Sequence, residues 1–230
     1  MRVINIFPLS IFCNKIVLSN DKKDQMISEI RKMRDNSKKA DYKKKGDAWT
    51  GDTQGFENLQ KNAIFDDFFL EVKKNINEYL EQLAIDTDQI DIFIQRSWAT
   101  ISHGNETIAK HKHMQSHISF AYYLKKNSND SNLMIHDEVQ RNEVIPGLFG
   151  SISSLNRKVL KKINILNSSQ ITINVKEDDI VFFPSKTPHS TQPTNNNDER
   201  ISISADIVCI AKNSETLEHL TPPYDNWKKI

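Results

Sequence analysis

Seven histidines lie along the chain, and four of them fall between residues 101 and 119: His103, His111, His113 and His117. His111-Lys112-His113 is the informative pair. On an extended segment residues i and i+2 face the same side, so both imidazoles can approach one cation. A second piece is Phe183-Pro184-Ser185-Lys186-Thr187-Pro188-His189. It places His189 just past a buried-looking strand, at a turn stiffened by two prolines. Eleven residues later Arg200-Ile201-Ser202 opens the last strand-like run. An arginine presents a planar fork that binds a carboxylate through two parallel hydrogen bonds. Close to a metal-binding histidine it is well placed to hold a dicarboxylate.

The elements that must position these groups read as helices first and strands second. Met26, Ile27, Ile30 and Met33 recur at helical spacing, with Ser19, Asn20 or Asp21 available as a cap. A second apolar stripe, from Phe65 to Leu83, predicts a helix over residues 64–84. Before them, residues 4–12 alternate loosely and suit an opening strand. Between them lie a lysine-rich run over 38–46, read as a solvated loop, and a Gly-punctuated loop over 46–55 holding Trp49. After Asp86 come short β-branched or aromatic runs at 92–101, 118–124, 133–136, 171–175, 180–184 and 201–210. The stretch 144–166, with Gly147 and Gly150, suggests a loop insertion holding at most one strand. The fold class expected is α+β, mainly β: a jelly roll braced on one face by the N-terminal helices.

Composition narrows the function. Lys plus Arg number 31 against 30 Asp plus Glu, a net charge of +1, which argues against a nucleic-acid or membrane-surface binder. No apolar run is long enough to span a bilayer. The first twelve residues lack the basic and continuous apolar regions of a signal peptide. Cys13 and Cys209 are the only cysteines, too few for a disulfide framework, and suit a reducing, cytoplasmic setting.

Taken together, the spacing of His111-Lys112-His113, His189 and Arg200-Ile201-Ser202 resembles the 2-oxoglutarate- and Fe(II)-dependent oxygenases. More narrowly, it is similar to those of marine bacteria and their phages. Further stretches carry the likeness: Trp49-Thr50-Gly51-Asp52, Gln54-Gly55-Phe56-Glu57-Asn58-Leu59, Ser97-Trp98, Ile118-Ser119-Phe120-Ala121-Tyr122-Tyr123-Leu124 and Pro222-Pro223-Tyr224-Asp225-Asn226-Trp227. The resemblance implies a double-stranded β-helix, cupin-like, occupying residues 1–230 as one oxygenase domain. Residues 1–90 would be a helical support, 91–212 the jelly-roll core and 213–230 a C-terminal tail.

It also implies Fe(II), 2-oxoglutarate and O2 as cofactors and cosubstrates. A small-molecule or peptidyl substrate would be hydroxylated with release of succinate and CO2. The ligand set stays open: His111, His113 and His189 form a three-histidine face, or a carboxylate completes the set, Asp137 being the best candidate. Arg200 would pair the distal carboxylate of 2-oxoglutarate, and Ser202 or Tyr123 would add a hydroxyl donor. Phe120, standing where the narrow family usually shows Gly, is expected to narrow the cavity. Trp98, Tyr122, Phe182 and Phe183 could line it or fill the core, and His103, His117, His136 and His219 read as structural. The competing reading is a cupin-like metal- or ligand-binding module without oxygenase activity, which would not require Arg200. Oligomeric state and substrate identity are not legible in the sequence.

Overall fold

The computed structural model describes residues 2–37, 46–128, 132–149, 159–193, 197–213, 215 and 219–230. Eleven strands and α-helices follow in chain order: β1 (Phe12–Lys15), α1 (Asn20–Asp35), β2 (Trp49–Thr50), α2 (Asp66–Gln82), β3 (Ile90–His103), β4 (Ile118–Lys125), β5 (Leu133–His136), β6 (Gln170–Ile173), β7 (Asp179–Pro184), β8 (His189–Thr191) and β9 (Glu199–Ala211). A six-stranded sheet runs β1-β7-β4-β9-β3-β2, and a three-stranded sheet runs β6-β5-β8. Every pairing between named strands is antiparallel. The two sheets and two helices make the expected jelly roll.

Strand periodicity sorts the large sheet into two faces. On β9, Ile201, Ile203, Ala205 and Ile207 join the apolar core under the helices, while Arg200, Ser202, Ser204 and Ala205 border the cavity between the sheets, Ala205 from its backbone side. β4 divides likewise: Ile118, Phe120, Tyr122 and Leu124 face the helices, and Ser119, Ala121 and Tyr123 face the cavity or the smaller sheet. Leu133 and Ile135 of the smaller sheet meet Tyr123, Val181 and Phe183 of the larger one in a second apolar cluster.

Helix α1 begins where the sequence places its cap, with Ser19 Oγ accepting from Lys22 N–H. It buries Met26 and Ile30, and α2 buries Phe68, Val72, Ile76, Tyr79 and Leu80 against the sheet. Phe68 is fully buried, 4.8 Å between centroids from Tyr122 and 6.2 Å from Phe120. Phe68→Ala is expected to cost about 3–5 kcal/mol in urea unfolding, the range for a large aromatic lost from a core. Because Phe68 lies on the face away from the cavity, folded protein should keep its ligand affinities.

Polar contacts dock α1 at both ends. Lys23 Nζ donates to Glu177 at 2.5 Å and Asp178 at 2.8 Å. At the other end Arg31 pairs with Glu199, which Lys125 also reaches at 3.1 Å. Burial opposes ionisation of Glu199, but the hydrogen bonds from Arg31 and Lys125 outweigh it and hold the carboxyl at about 2. Its folded pKa is thus below the ordinary glutamate value, so the stabilisation is present above about pH 5 and fades as pH falls towards 2. Arg31 is 42% exposed, so screening reduces the expected contribution to about 1 kcal/mol. Urea unfolding of Glu199→Gln against wild type should show that difference at pH 7 and a narrowing gap between pH 5 and 3.

Several sequence expectations shift. The opening strand is not at residues 4–12 but at Phe12–Lys15, where β7 offers a free edge. Val3, Ile4, Ile6, Phe7 and Leu9 are exposed instead, and Pro8 supplies no donor for a ladder. The loop holding Trp49 contributes the two-residue strand β2, pairing Trp49 with Ile101 and Thr50 with Thr100. His189 comes just past β7 and its proline-bounded turn, as expected, and also opens β8, paired to β5. The lysine-rich run is outside the described residues over 38–45, and so is the 150–158 part of the 144–166 insertion. The described part of that insertion holds no strand.

Candidate metal and cosubstrate site

The segment carrying His111 and His113 is tied down from three sides. His111 forms an isolated antiparallel bridge with His189, N–H to O distances being 3.0 and 2.9 Å. His113 N–H donates to Ser185 O at 2.9 Å, and His117 N–H to Ile207 O at 2.8 Å. These bonds fix residues 111 and 113 in the extended state that the i, i+2 argument needs. They also bring His189, 76 positions further along the chain than His113, into the same cluster.

One ligand-type atom from each of His111, His113 and His189 lies within 4.8 Å of the others. Among the described residues no carboxylate joins this group. Asp137 is exposed, and its Oδ1 accepts from Val139 N–H at 2.9 Å, capping a turn. His113 and His189 are buried, and His111 sits exposed at the rim.

The outward hydrogen bonds of the three rings fix their tautomers. His111 Nδ1 meets Ala109 O at 2.8 Å, His189 Nδ1 meets Thr187 O at 2.9 Å, and His113 Nδ1 meets Asp206 Oδ1 at 2.5 Å. A carbonyl or carboxylate oxygen only accepts, so each Nδ1 must carry the proton and donate. Each neutral ring then keeps the lone pair on Nε2 for a metal. Burial, with His111 beside it, drives the His189 pKa down to about 3, and desolvation lowers His111 as well. Both rings are therefore neutral at pH 7 and ready to ligate. This donor set fits a first-row divalent cation such as Fe(II).

A cavity of about 370 Å³ opens beside the three rings. Arg200, Ser202 and Tyr123 line it together with all three histidines. Arg200 is 2% exposed, and Tyr123 and Ser202 are directly opposed across β4 and β9. Burial pushes Tyr123 up to about 12 even though Arg200 pulls it down, so its hydroxyl stays a donor at neutral pH. Trp98 lies almost parallel to His113, centroids 5.6 Å apart, and Phe183 packs 4.8 Å from His189. These two aromatics line the cavity, whereas Tyr122 and Phe182 fill the helix-side core. Phe120 borders the cavity, while its ring also packs against Phe68 and Phe182 on the helix side.

Two residues at this site escaped the sequence reading. Asp206, fully buried, accepts from His113 and pairs through Oδ2 with Arg96 Nε at 2.6 Å. Arg96 lies over the Trp98 ring at 4.8 Å and reaches to 3.8 Å from Asp52 Oδ2. Burial raises the pKa of Asp206, but His113 and Arg96 outweigh it and hold the carboxyl at about 2. Asp52 sits on a 3-10 turn (Gly51–Gln54), where Gly51 is required: a Cβ there would stand 2.8 Å from Phe56 O. Its Oδ1 is buried without a hydrogen-bond partner among the described residues, and Asp52 borders the cavity. His103, His117 and His136 make contacts away from the three rings. His117 Nδ1 accepts from Cys209 N–H at 3.0 Å, His136 Nε2 bonds Ser190 Oγ at 2.8 Å, and His103 lies 3.8 Å from Glu106 and Glu199.

Residues 96–206, from Arg96 to Asp206, match the model of the family described as "Putative 2OG-Fe(II) oxygenase". The matched segment, just under half of the chain, is similar to this 2-oxoglutarate/Fe(II) oxygenase family. No curated protein matches the sequence. The chain is also similar in fold to solved structures. The non-heme alpha ketoglutarate dependent epimerase SnoN from nogalamycin biosynthesis superposes with a TM-score of 0.57 at 12% identity, over 96% of this chain and 88% of that one. A prolyl-4-hydroxylase of Pseudomonas putida gives 0.51 at 11%, over 87% and 92%. The viral collagen prolyl hydroxylase vCPH of Paramecium Bursaria Chlorella virus-1, solved as a 2OG complex, gives 0.50 at 12%, over 86% and 94%. At these identities the likeness speaks for the fold, and the chemistry rests on the matched segment and the chain's own residues.

Proposed function

We propose that the protein binds Fe(II) through Nε2 of His111, His113 and His189 and uses 2-oxoglutarate and O2 to hydroxylate a small-molecule or peptidyl substrate. The observation that carries this reading is one cavity holding both halves of the chemistry. Three imidazoles converge at one place, and buried Arg200 stands with Ser202 and Tyr123 on the same lining. Bound there, iron and 2-oxoglutarate supply oxygen activation coupled to decarboxylation to succinate and CO2.

The chain's own groups do the rest. A carboxylate taken into a buried pocket without a cationic partner costs several kcal/mol, roughly, and Arg200 meets that need with a two-pronged donor. Ser202 and Tyr123 add hydroxyl donors to the same carboxylate. Trp98 and Phe183 press on the ligand rings and keep water from their flanks. Away from Arg200, the wall of Asp52, Thr53, Arg96 and Gln115 offers polar contacts to a substrate. In this reading residues 1–230 act as one oxygenase unit, with the helices as support. Among the described residues no helix is long and apolar enough to cross a membrane.

Uncoupled turnover tests the proposal. Wild-type protein with Fe(II), ascorbate and 2-oxoglutarate in air should release succinate slowly without added substrate, and His189→Ala should release none. Equal succinate from both proteins would sink it.

A further inference from the structure

Resting on the three-histidine reading above, we propose that Asp206 is a positioning residue that supplies, through His113, the negative charge a three-imidazole face lacks. The usual ferrous set of two histidines and one carboxylate leaves the site with a single net positive charge, whereas three neutral imidazoles leave the full +2. In this chain the carboxylate stands one layer out.

The sheet builds that layer. Antiparallel register puts Ser119 and Arg96 directly opposite Asp206 on its two neighbouring strands. Oδ1 accepts from His113 Nδ1 at 2.5 Å and from Ser116 and Ser119 Oγ, each at 3.2 Å. Oδ2 accepts from Arg96 Nε at 2.6 Å and Gln115 Nε2 at 2.9 Å. Five donors occupy a carboxylate that has roughly four lone-pair positions. Asp206 thus has no capacity left to turn inward and ligate a metal itself. What it can do is hold the His113 ring and its tautomer and make Nε2 a stronger donor, as outer carboxylates do for metal-bound imidazoles. Arg96 opposes this by drawing charge from Oδ2.

Opposed signs follow, and a packing role alone does not produce them. Asp206→Asn should weaken Fe(II) binding about 10- to 100-fold. Arg96→Gln removes a half-buried ion pair and should lower thermal stability, yet it frees charge for His113 and should tighten Fe(II) several-fold. His113→Asp places a carboxylate beside Asp206 and should bind Fe(II) poorly. Adding Asp206→Asn to it removes the like charge and should recover at least roughly tenfold, the double mutant exceeding the single one.

The test is anaerobic titration of each protein with Fe(II) against a chromophoric chelator, with circular dichroism and thermal unfolding in parallel. Weaker binding in folded Asp206→Asn, tighter binding in Arg96→Gln and recovery in the double mutant support the proposal. Wild-type affinity in folded Asp206→Asn, or weakened binding in Arg96→Gln, overturns it while leaving the three-histidine site standing. If Asp206→Asn does not fold, the Arg96→Gln result decides alone. Wild-type protein that binds no Fe(II) overturns the three-histidine reading and this inference with it.

Discussion

Arg200→Ala is expected to keep Fe(II) and to bind 2-oxoglutarate hundreds to thousands of times more weakly than wild type. Arg200 is 2% exposed and borders the same cavity as the three histidines. Removing one partner of a buried charge pair typically costs about 3–5 kcal/mol, which gives the range stated. Arg200→Lys should fall between, because an ammonium offers a point charge and not a planar fork. Ser202→Ala should lose only about 1 kcal/mol, one hydrogen bond. Calorimetric titration of the anaerobic Fe(II) proteins checks the series. An Arg200→Ala protein that holds 2-oxoglutarate as tightly as wild type would favour a cupin-like binding module.

The second large effect is at the metal. His189→Ala removes one of three converging rings and is expected to lower Fe(II) affinity more than about 100-fold, beyond what loss of an outer partner costs. Elemental analysis should then find wild type with one iron per chain and the variant nearly empty. Thermal unfolding guards against misfolding, since His189 also pairs with His111 and β5 through its backbone, which alanine retains. The same assay separates the two ligand sets. His113→Ala should lose iron and Asp137→Ala should not, because Asp137 lies exposed on a turn. The reverse pattern would return the carboxylate set.

Much of this site is written in local sequence. His-x-His, the Pro-flanked His189 and Arg-x-Ser each rest on short spacing, and two-residue periodicity puts each pair on one face of a strand. Both helices show in the apolar stripes that now cover the large sheet. Asp206 was harder to see because its role depends on pairing. The alternation from Arg200 through Ser202 and Ser204 does put it on the cavity face, but only register sets it between Ser119 and Arg96. Arg96 itself sits at a register shift in β3, which no periodicity announces. Phe120 belongs to both sides: alternation with Ser119 and Ala121 puts it in the helix-side core, and it still borders the cavity. β2 and β8 hold two and three residues, too few to show a period of two.

The most direct test of the central claim is optical. Wild-type protein carrying one Fe(II) per chain, titrated anaerobically with 2-oxoglutarate, should develop the weak visible charge-transfer band of a chelated 2-oxo acid. The band should saturate at one equivalent, shift to much higher concentration in Arg200→Ala and be absent in His189→Ala. Iron-loaded wild type that develops no such band at any 2-oxoglutarate concentration would contradict the account.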